Sequence, residues 1–442
     1  RVVVGDDLPV YLEQHPVGVR DDLRLGCIDH RVHGKERSAA APFSRAPRAY
    51  DHRRMPVRAT KRGTARTTLD RDCDVLVCGA SFAGLTVARE LERSGARVML
   101  IDRYEVGERQ TSACAVPTEW LELLGLESSV RQTFDELVVH TSRSTTRWPL
   151  PISFSTFDYR ELCGLLRAAA SSSEFETATV EGVQTGQTHT VRTDRGDVRA
   201  PYVIDALGWR RVLSSSGQPI QPPDARLSRG LEVHPPGTGD DLECWIDPHY
   251  IRAGYSWSFP AGDEVRVGVG SFEPRDHVKD GTVALARDLS RDPVGYQGNW
   301  IPHQLRPATE NGIFFVGDSA GHCLPLTAEG IRPAFYFALA LGRELRAALA
   351  GAITREQALT RYRAFNRKHA LKYSCMLGAQ HLAGRTTGSA PMRWLVGALR
   401  ARRVSHWTFD HYYQIMPRPS AIGSDSPELV GTGARGRLGA PA

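Results

Sequence analysis

The sequence predicts an α/β protein: a parallel sheet with covering helices, an inserted mainly β region and a helical C-terminal region. Three observations predict it. Residues 74–78 and 97–102 are short apolar runs on either side of a glycine turn and an amphipathic stretch, the pattern of a βαβ unit. Residues 313–316 return as another buried run far downstream, followed by a long apolar segment to about residue 350. Between them lie alternating, strand-like pieces within residues 225–310, and after them residues 355–416 carry mainly helical periodicity.

The elements follow in order. After Asp74 the run to Cys78 is continuously apolar, as a strand buried on both faces must be. Leu85, Ala88 and Leu91 then share one helical face, with Arg89, Glu90, Glu92 and Arg93 on the other, and Gly95 ends the helix. Residues 159–170 read as a helix. Residues 176–183, 187–193 and 196–205 read as strands, with Arg195 and Gly196 as a hairpin turn. Within the insertion, residues 255–259 and 264–270 are the clearest strands, and a helix is predicted near 281–290.

The ends differ from the middle. Residues 1–68 are rich in Arg, His, Asp and Pro and lack either periodicity, so they bury too little apolar surface to offset chain entropy. The expectation is a disordered or non-native segment, with Met55 as the natural start. Residues 417–442 read as a disordered tail. The domains expected are 69–215 with 311–350 for nucleotide binding, 216–310 for substrate, and 351–416 as a helical region.

Composition excludes several classes. Hydrophobic residues make up 41% and charged residues 24%, ordinary for a globular protein. The net charge of +6 sits partly in the N-terminal stretch and reads as a basic tail, so no nucleic-acid partner is expected. Eight cysteines without a CxxC pair encode neither a zinc site nor a dithiol motif, and reduced thiols in a cytoplasm are expected. No apolar run approaches the roughly 20 residues that span a bilayer.

The chemistry starts at Gly79-Ala-Ser81-Phe82-Ala83-Gly84, between strand and helix. A tight turn there aims backbone N–H groups and a helix N-terminus at a pyrophosphate. Gly79 allows the turn, and Gly84 allows the helix to approach the strand. Ser81 stands where a glycine is usual, and its small hydroxyl side chain still permits close approach. About 20 residues on, the second strand ends at Asp102, followed by Arg103, placed to accept from an adenosine ribose hydroxyl.

The run FVGDSAGHCLPLTAEGIRPAF, residues 315–335, resembles the second flavin motif of the glutathione-reductase-like FAD superfamily. The resemblance implies a Rossmann-type FAD-binding domain. Gly317 forms its turn and Asp318 binds the ribityl chain, while Pro325, Gly330 and Ile331 meet the flavin ring. Asp158-Tyr159-Arg160 resembles a helix start that contacts FAD in the same superfamily. Residues 203–213 stand where flavin aromatic hydroxylases carry a conserved-pattern acid, but Leu207 occupies that place. Tyr255-Ser-Trp257-Ser-Phe259-Pro260, with residues 107–114 and the helical C-terminus, resembles geranylgeranyl reductases. That family reduces C=C bonds of prenyl chains. The aromatic stretch is also similar to a flavin-halogenase motif, without a recognisable halogenase lysine.

The leading expectation is hydride transfer from reduced FAD to an isoprenoid-like substrate lined by Tyr255, Trp257 and Phe259. Cys114 or His322 supplies the proton. Alternatives are a monooxygenase or halogenase acting on an aromatic or polyketide-like metabolite, and a non-redox FAD-dependent cyclase. No second dinucleotide turn is present, so NAD(P)H docks transiently or another carrier delivers electrons. Residues 391–403 alternate basic and apolar patches, an arrangement suited either to the core or to peripheral membrane contact. No metal site is expected, and the oligomeric state is not legible.

Overall fold

The computed structural model describes residues 67–110, 112–214 and 227–418. The expectations for Met55 and residues 1–54, and nearly all of the tail, lie outside them. Strands and helices are numbered in chain order.

The first half is a six-stranded sheet in the order β17 (Thr309–Glu310), β18 (Ile313–Phe315), β11 (Tyr202–Asp205), β2 (Val75–Cys78), β3 (Val98–Asp102) and β7 (Glu174–Thr177). All neighbours are parallel except the short edge pair β17–β18. Alternate residues of β2 go to different cores: Val75 and Val77 face the helices, Leu76 and Cys78 the opposite side. That two-sided burial is why the run is uniformly apolar.

On the first side lie α1 (Phe82–Glu90), α3 (Tyr159–Ala168), α5 (Ile331–Leu349) and α6 (Arg355–Arg367). Phe82 meets Tyr159, Phe335 and Phe157 edge-on at 5.4, 5.9 and 6.0 Å between ring centroids. Such pairs add about 0.5–1.5 kcal/mol each beyond area burial. On the second side a small sheet, β1 (Arg71–Asp72), β10 (Gly196–Ala200), β9 (His189–Thr193) and β8 (Val180–Gln184), forms a lid over Leu76 and Cys78. The β9–β10 turn is Asp194 and Arg195, and Gly196 opens β10 at φ +129°.

The second half is an eight-stranded sheet: β16 (Gln297–Pro302), β12 (Leu227–Val233), β15 (Val265–Ser271), β14 (Gly254–Pro260), β13 (Leu242–Ile246), β5 (Val130–Thr141), β6 (Ser144–Phe157) and β4 (Ala115–Pro117). Helix α4 (Val278–Asp288) covers one face through Val278, Leu285 and Ala286. The other face looks toward the flavin-type turns and the C-terminal helices α7 (Ala370–Thr386), α8 (Ala390–Ala398) and α9 (Arg402–Tyr413). Helix α2 (Thr118–Leu123) follows β4.

This sheet draws on residues 115–157 as well as 227–302, so the chain leaves the parallel sheet twice. The sequence reading ran the nucleotide-binding segment unbroken from 69 to 215. Pro149 and Pro151 lie inside β6, where they argue against a strand. They are tolerated because β4 pairs only with Phe154–Thr156, leaving that edge of β6 without a strand partner.

Gly84 sets how closely α1 sits on β2. A Cβ there would lie 1.8 Å from the Gly79 carbonyl oxygen and 3.2 Å from Val77. Gly84→Ala must push the helix outward. The expected result is a loss of about 1–3 kcal/mol of stability, read by thermal unfolding.

Candidate flavin and substrate site

The parallel register sets the ends of β2 and β18 on either side of β11. The Gly79 amide donates to Ile101 O at 2.7 Å, and Ala206 N donates to Cys78 O at 2.7 Å. A Cβ on Gly79 would sit 2.2 Å from Ala206 O, so only glycine fits this turn. Gly317, at φ +66°, comes within contact range of Ala83: a Cβ on it would be 3.1 Å from that residue. The two glycine turns, remote in sequence, therefore adjoin.

Ser81 is the N-cap of α1, and its hydroxyl accepts from Tyr159 at 3.0 Å. The first-turn amides that follow have no helical acceptor. Asp102 is tied to this turn: Oδ2 accepts from Ala80 N at 2.8 Å and Oδ1 from Tyr104 N at 3.0 Å. Arg103 lies over the Tyr104 ring. Gly107, at φ +72°, packs its backbone on Arg160, bringing the 107–114 run against the start of α3. Asp318 is half-buried, and among the described residues its carboxylate accepts no hydrogen bond, while its carbonyl accepts from Gly321 N at 3.0 Å. Burial raises its carboxyl to about 6, against the pull of Arg306. An unpartnered, half-buried carboxylate beside two glycine turns fits a polyhydroxylated nucleotide.

Asp205, unassigned from sequence, joins the two motifs. It ends β11 fully buried and accepts from Leu207 N, Leu213 N and Ser319 Oγ at 2.9, 2.8 and 2.6 Å. The position lacking an acid at Leu207 is thus organised by the acid two residues earlier.

The loop from His322 to Gly330 is strained and clamped. Leu326 and Ala328 are left-handed, at φ 69° and 52°. Leu326 N donates to Gln380 Oε1 at 2.8 Å, Tyr255 OH donates to Thr327 O at 2.6 Å, and Tyr373 OH donates to His322 O at 2.5 Å. Pro325 O receives Thr327 N at 2.8 Å. Gly330 caps α5 and Ile331 begins it, buried. Glu329 grips Arg332 through two hydrogen bonds of 2.6 and 2.7 Å and accepts from Tyr412 OH. Arg332 is fully buried and donates onward to the carbonyls of Tyr413 and Met416.

His322, expected from the sequence as a proton donor, is fully buried with both ring nitrogens engaged, which favours a structural role. Its Nδ1 accepts from Gly317 N at 3.1 Å, its Nε2 faces Asn366 Oδ1 at 3.0 Å, and its ring stacks on Phe337 at 3.6 Å. Burial drives its pKa down to about 3, so it is a neutral strut.

Cys114 is buried at φ 54°, and burial holds its thiol well above the usual range. Its segment is held by Arg266, which donates to Ala113 O at 2.8 Å and Phe157 O at 3.0 Å. Arg266 belongs to a buried network that sequence reasoning missed. Glu264 accepts from it at 2.8 Å, and His234 lies between Glu232 at 2.9 Å and Glu264 at 3.7 Å. Burial alone would raise Glu264, but His234 and Arg266 hold it at about 2.

Tyr255, Trp257 and Phe259 share one face of β14, over Gly270, Gly268 and Arg266 of β15. A Cβ on Gly268 would be 2.2 Å from the Trp257 ring, so the indole lies flat on a glycine floor, and its Nε1 donates to Glu232 at 3.2 Å. Tyr255 and Cys244 lie on the same face of the sheet and are half-buried, and Tyr255 reaches the loop through its hydroxyl. The seven described cysteines are free, and no cluster of metal ligands occurs among the described residues.

Residues 72–216 match the FAD binding domain family. The chain is 23% identical over 325 residues to digeranylgeranylglycerophospholipid reductase 3 of Methanosphaera stadtmanae, covering 66% of this chain and 82% of that protein. It is 24% identical over 320 residues to anhydrotetracycline monooxygenase of Streptomyces rimosus, covering 63% of each. Among solved structures it resembles a geranylgeranyl bacteriochlorophyll reductase-like protein from Thermoplasma acidophilum, with TM-score 0.66 and 17% identity over 72% of this chain and 89% of that one. Fold, paired glycine turns and matched domain define an FAD-dependent oxidoreductase. Within that class the chain is similar both to geranylgeranyl reductases and to monooxygenases.

Two outcomes check this geometry. Glu329→Gln leaves Arg332 buried without its counter-charge and should cost about 3–5 kcal/mol in urea unfolding, with Glu329→Gln plus Arg332→Met recovering most of it. Asp318 has a folded pKa above its unfolded value of 3.8, so the folded state binds more protons in between. Flavin-free protein should therefore lose stability as pH rises through about 6. Asp318→Asn should flatten that slope, read as melting temperature against pH.

Proposed function

We propose that this enzyme reduces C=C bonds of a largely apolar, isoprenoid-like substrate. The observation that carries the reading is the face presented by Tyr255, Trp257 and Phe259. Three aromatic rings side by side, bordered by Leu242 and Cys244, form an apolar wall opposite the loop clamped by Thr327. Burying prenyl methylenes against such a wall contributes roughly 0.8 kcal/mol each.

When bound, FAD supplies hydride chemistry. In this proposal the turn formed by Gly79, Ser81, Phe82, Ala83 and Gly84 holds its pyrophosphate. Asp102 and Arg103 take the adenosine ribose, Arg160 and Gly317 adjoin the phosphates, and Asp318 accepts from the ribityl hydroxyls. Pro325, Gly330 and Ile331 support the ring. Cys114 keeps its thiol proton at neutral pH and is assigned as its donor to the substrate. Glu232 pins the Trp257 indole and so positions the wall. NAD(P)H docks transiently as electron source.

A second reading is hydroxylation of a flat polycyclic substrate, because the Trp257 indole, lying flat on its glycine floor, is a planar surface on which such a ring could stack. Halogenation has less support: the described lysines, Lys279, Lys368 and Lys372, are all exposed, on α4, at the end of α6 and on α7.

The deciding experiment mixes reduced enzyme, without oxygen, with a geranylgeranyl glycerophospholipid. Return of the oxidised flavin colour with a pair of hydrogens added per double bond supports the reading. Cys114→Ala should slow that step by about 10²–10⁴ while leaving flavin binding intact. If only an aromatic polyketide reacts, and only with oxygen, the prenyl proposal is wrong.

A further inference from the structure

We propose that the outer face of α8 and α9 docks this protein on an anionic lipid surface. The helices are already satisfied on their inner side. Val396, Ser405 and Tyr413 are buried, Trp148 Nε1 donates to Val396 O at 2.9 Å, and Ser405 Oγ donates to Pro149 O at 2.7 Å. Yet Trp394 is 76% exposed, Trp407 64%, Leu395 52% and Val404 42%. On α7, Leu371 and Leu382 are also exposed. Large apolar side chains grouped this way mark an interaction surface rather than ordinary solvent contact.

Charge identifies the occupant. From residue 368 to 416 the chain carries Lys368, Lys372, Arg385, Arg393, Arg400, Arg402 and Arg403 against the single acid Asp410. Among the described residues Arg385, Arg400, Arg402 and Arg403 make no ion pair, so their charge is uncompensated. Exposed tryptophans interleaved with aliphatics and flanked by arginines suit the lipid interface, where rings sit at headgroup level and guanidinium groups meet phosphates. A groove of about 430 Å³ opens beside Trp394, lined by Ser144, Thr145, Thr146 and Arg400, hydroxyls and a cation fitted to a phosphate headgroup. No helix among the described residues is long and apolar enough to cross a membrane, so the contact is peripheral. Leu395, Val404 and Leu382 favour hydrocarbon over a nucleic-acid backbone. The inference does not depend on which reaction the flavin site performs.

The test is sedimentation of the full chain, loaded with FAD, with vesicles of phosphatidylcholine alone or mixed with phosphatidylglycerol. Binding should require the anionic lipid and weaken with salt. Arg400→Gln, Arg402→Gln and Arg403→Gln together should lower partitioning by about 10²-fold. Trp394→Ala with Trp407→Ala should lower it about tenfold or more while leaving flavin content unchanged. Equal sedimentation with both vesicles, or none, overturns the proposal. It is also overturned if the tryptophan variant instead converts a dimer to a monomer in analytical ultracentrifugation, if deleting residues 419–442 is what first permits vesicle binding, or if an oligonucleotide binds in place of lipid.

Discussion

Everything at the flavin site depends on two glycine turns being held in contact. Gly317 and Ala83 meet because β2 and β18 flank β11 in parallel, with Val203 beside Leu76 and Ile204 beside Phe314. Parallel neighbours require crossovers, and this chain uses them to build its second half. It leaves once after β3 to form β4 to β6, and again after β11 to form β12 to β16. The two excursions rejoin where β13 pairs in parallel with β5, Cys244 opposite Val139. The substrate wall is therefore fastened to the nucleotide turns from both sides, and neither half can shift without disturbing a central strand.

The second dependence is energetic. Left-handed backbone at Leu326 and Ala328 costs roughly 1–2 kcal/mol per residue, so the loop needs outside support. That support comes from Gln380 on α7, Tyr412 on α9 and Tyr255 on β14. Arg332 then links the loop to the last turn of α9 through main-chain carbonyls. The C-terminal helices carry no recognisable chemical motif, yet they hold the shape of the loop beneath the proposed ring position. Strain maintained by surrounding contacts is characteristic of functional loops.

Legibility followed the range of the interactions. The Gly79 turn, Asp102 and the Gly317 run were legible because their logic is local: a strand end, a tight turn and a helix start lie within a few residues. Tyr255, Trp257 and Phe259 were legible as a shared face because strand periodicity is two. The strands β5 and β6 were not, since Pro149 and Pro151 contradict a strand and irregular pairing near Gln132 and Glu136 breaks the alternation. A histidine in a flavin-type loop reads as chemistry, whereas the partner of His322, Asn366, lies 44 residues away on another helix. Glu232 and Arg266 sit inside strands and His234 just past the end of β12, where a charged residue reads as solvent-facing. Only the pairing register shows that they meet.

The glycines of the large sheet join these threads. Gly268 and Gly270 lie opposite Trp257 and Tyr255, and strands usually avoid glycine because it leaves nothing to pack. Here the missing side chains are the point: any Cβ at Gly268 would meet the Trp257 ring and the Glu232 Cβ within 2.8 Å. The floor lets a large ring lie down, the buried carboxylate fixes its nitrogen, and the carboxylate is in turn held by His234. A wall made flat and rigid in this way can exclude water from one face of a bound molecule while the clamped loop limits the other. The same sheet face continues through Trp148 to the underside of α8, whose outer side carries Trp394. Helix α8 thus stands between this sheet face, which it meets through Val396, and the outside, where Trp394 is exposed.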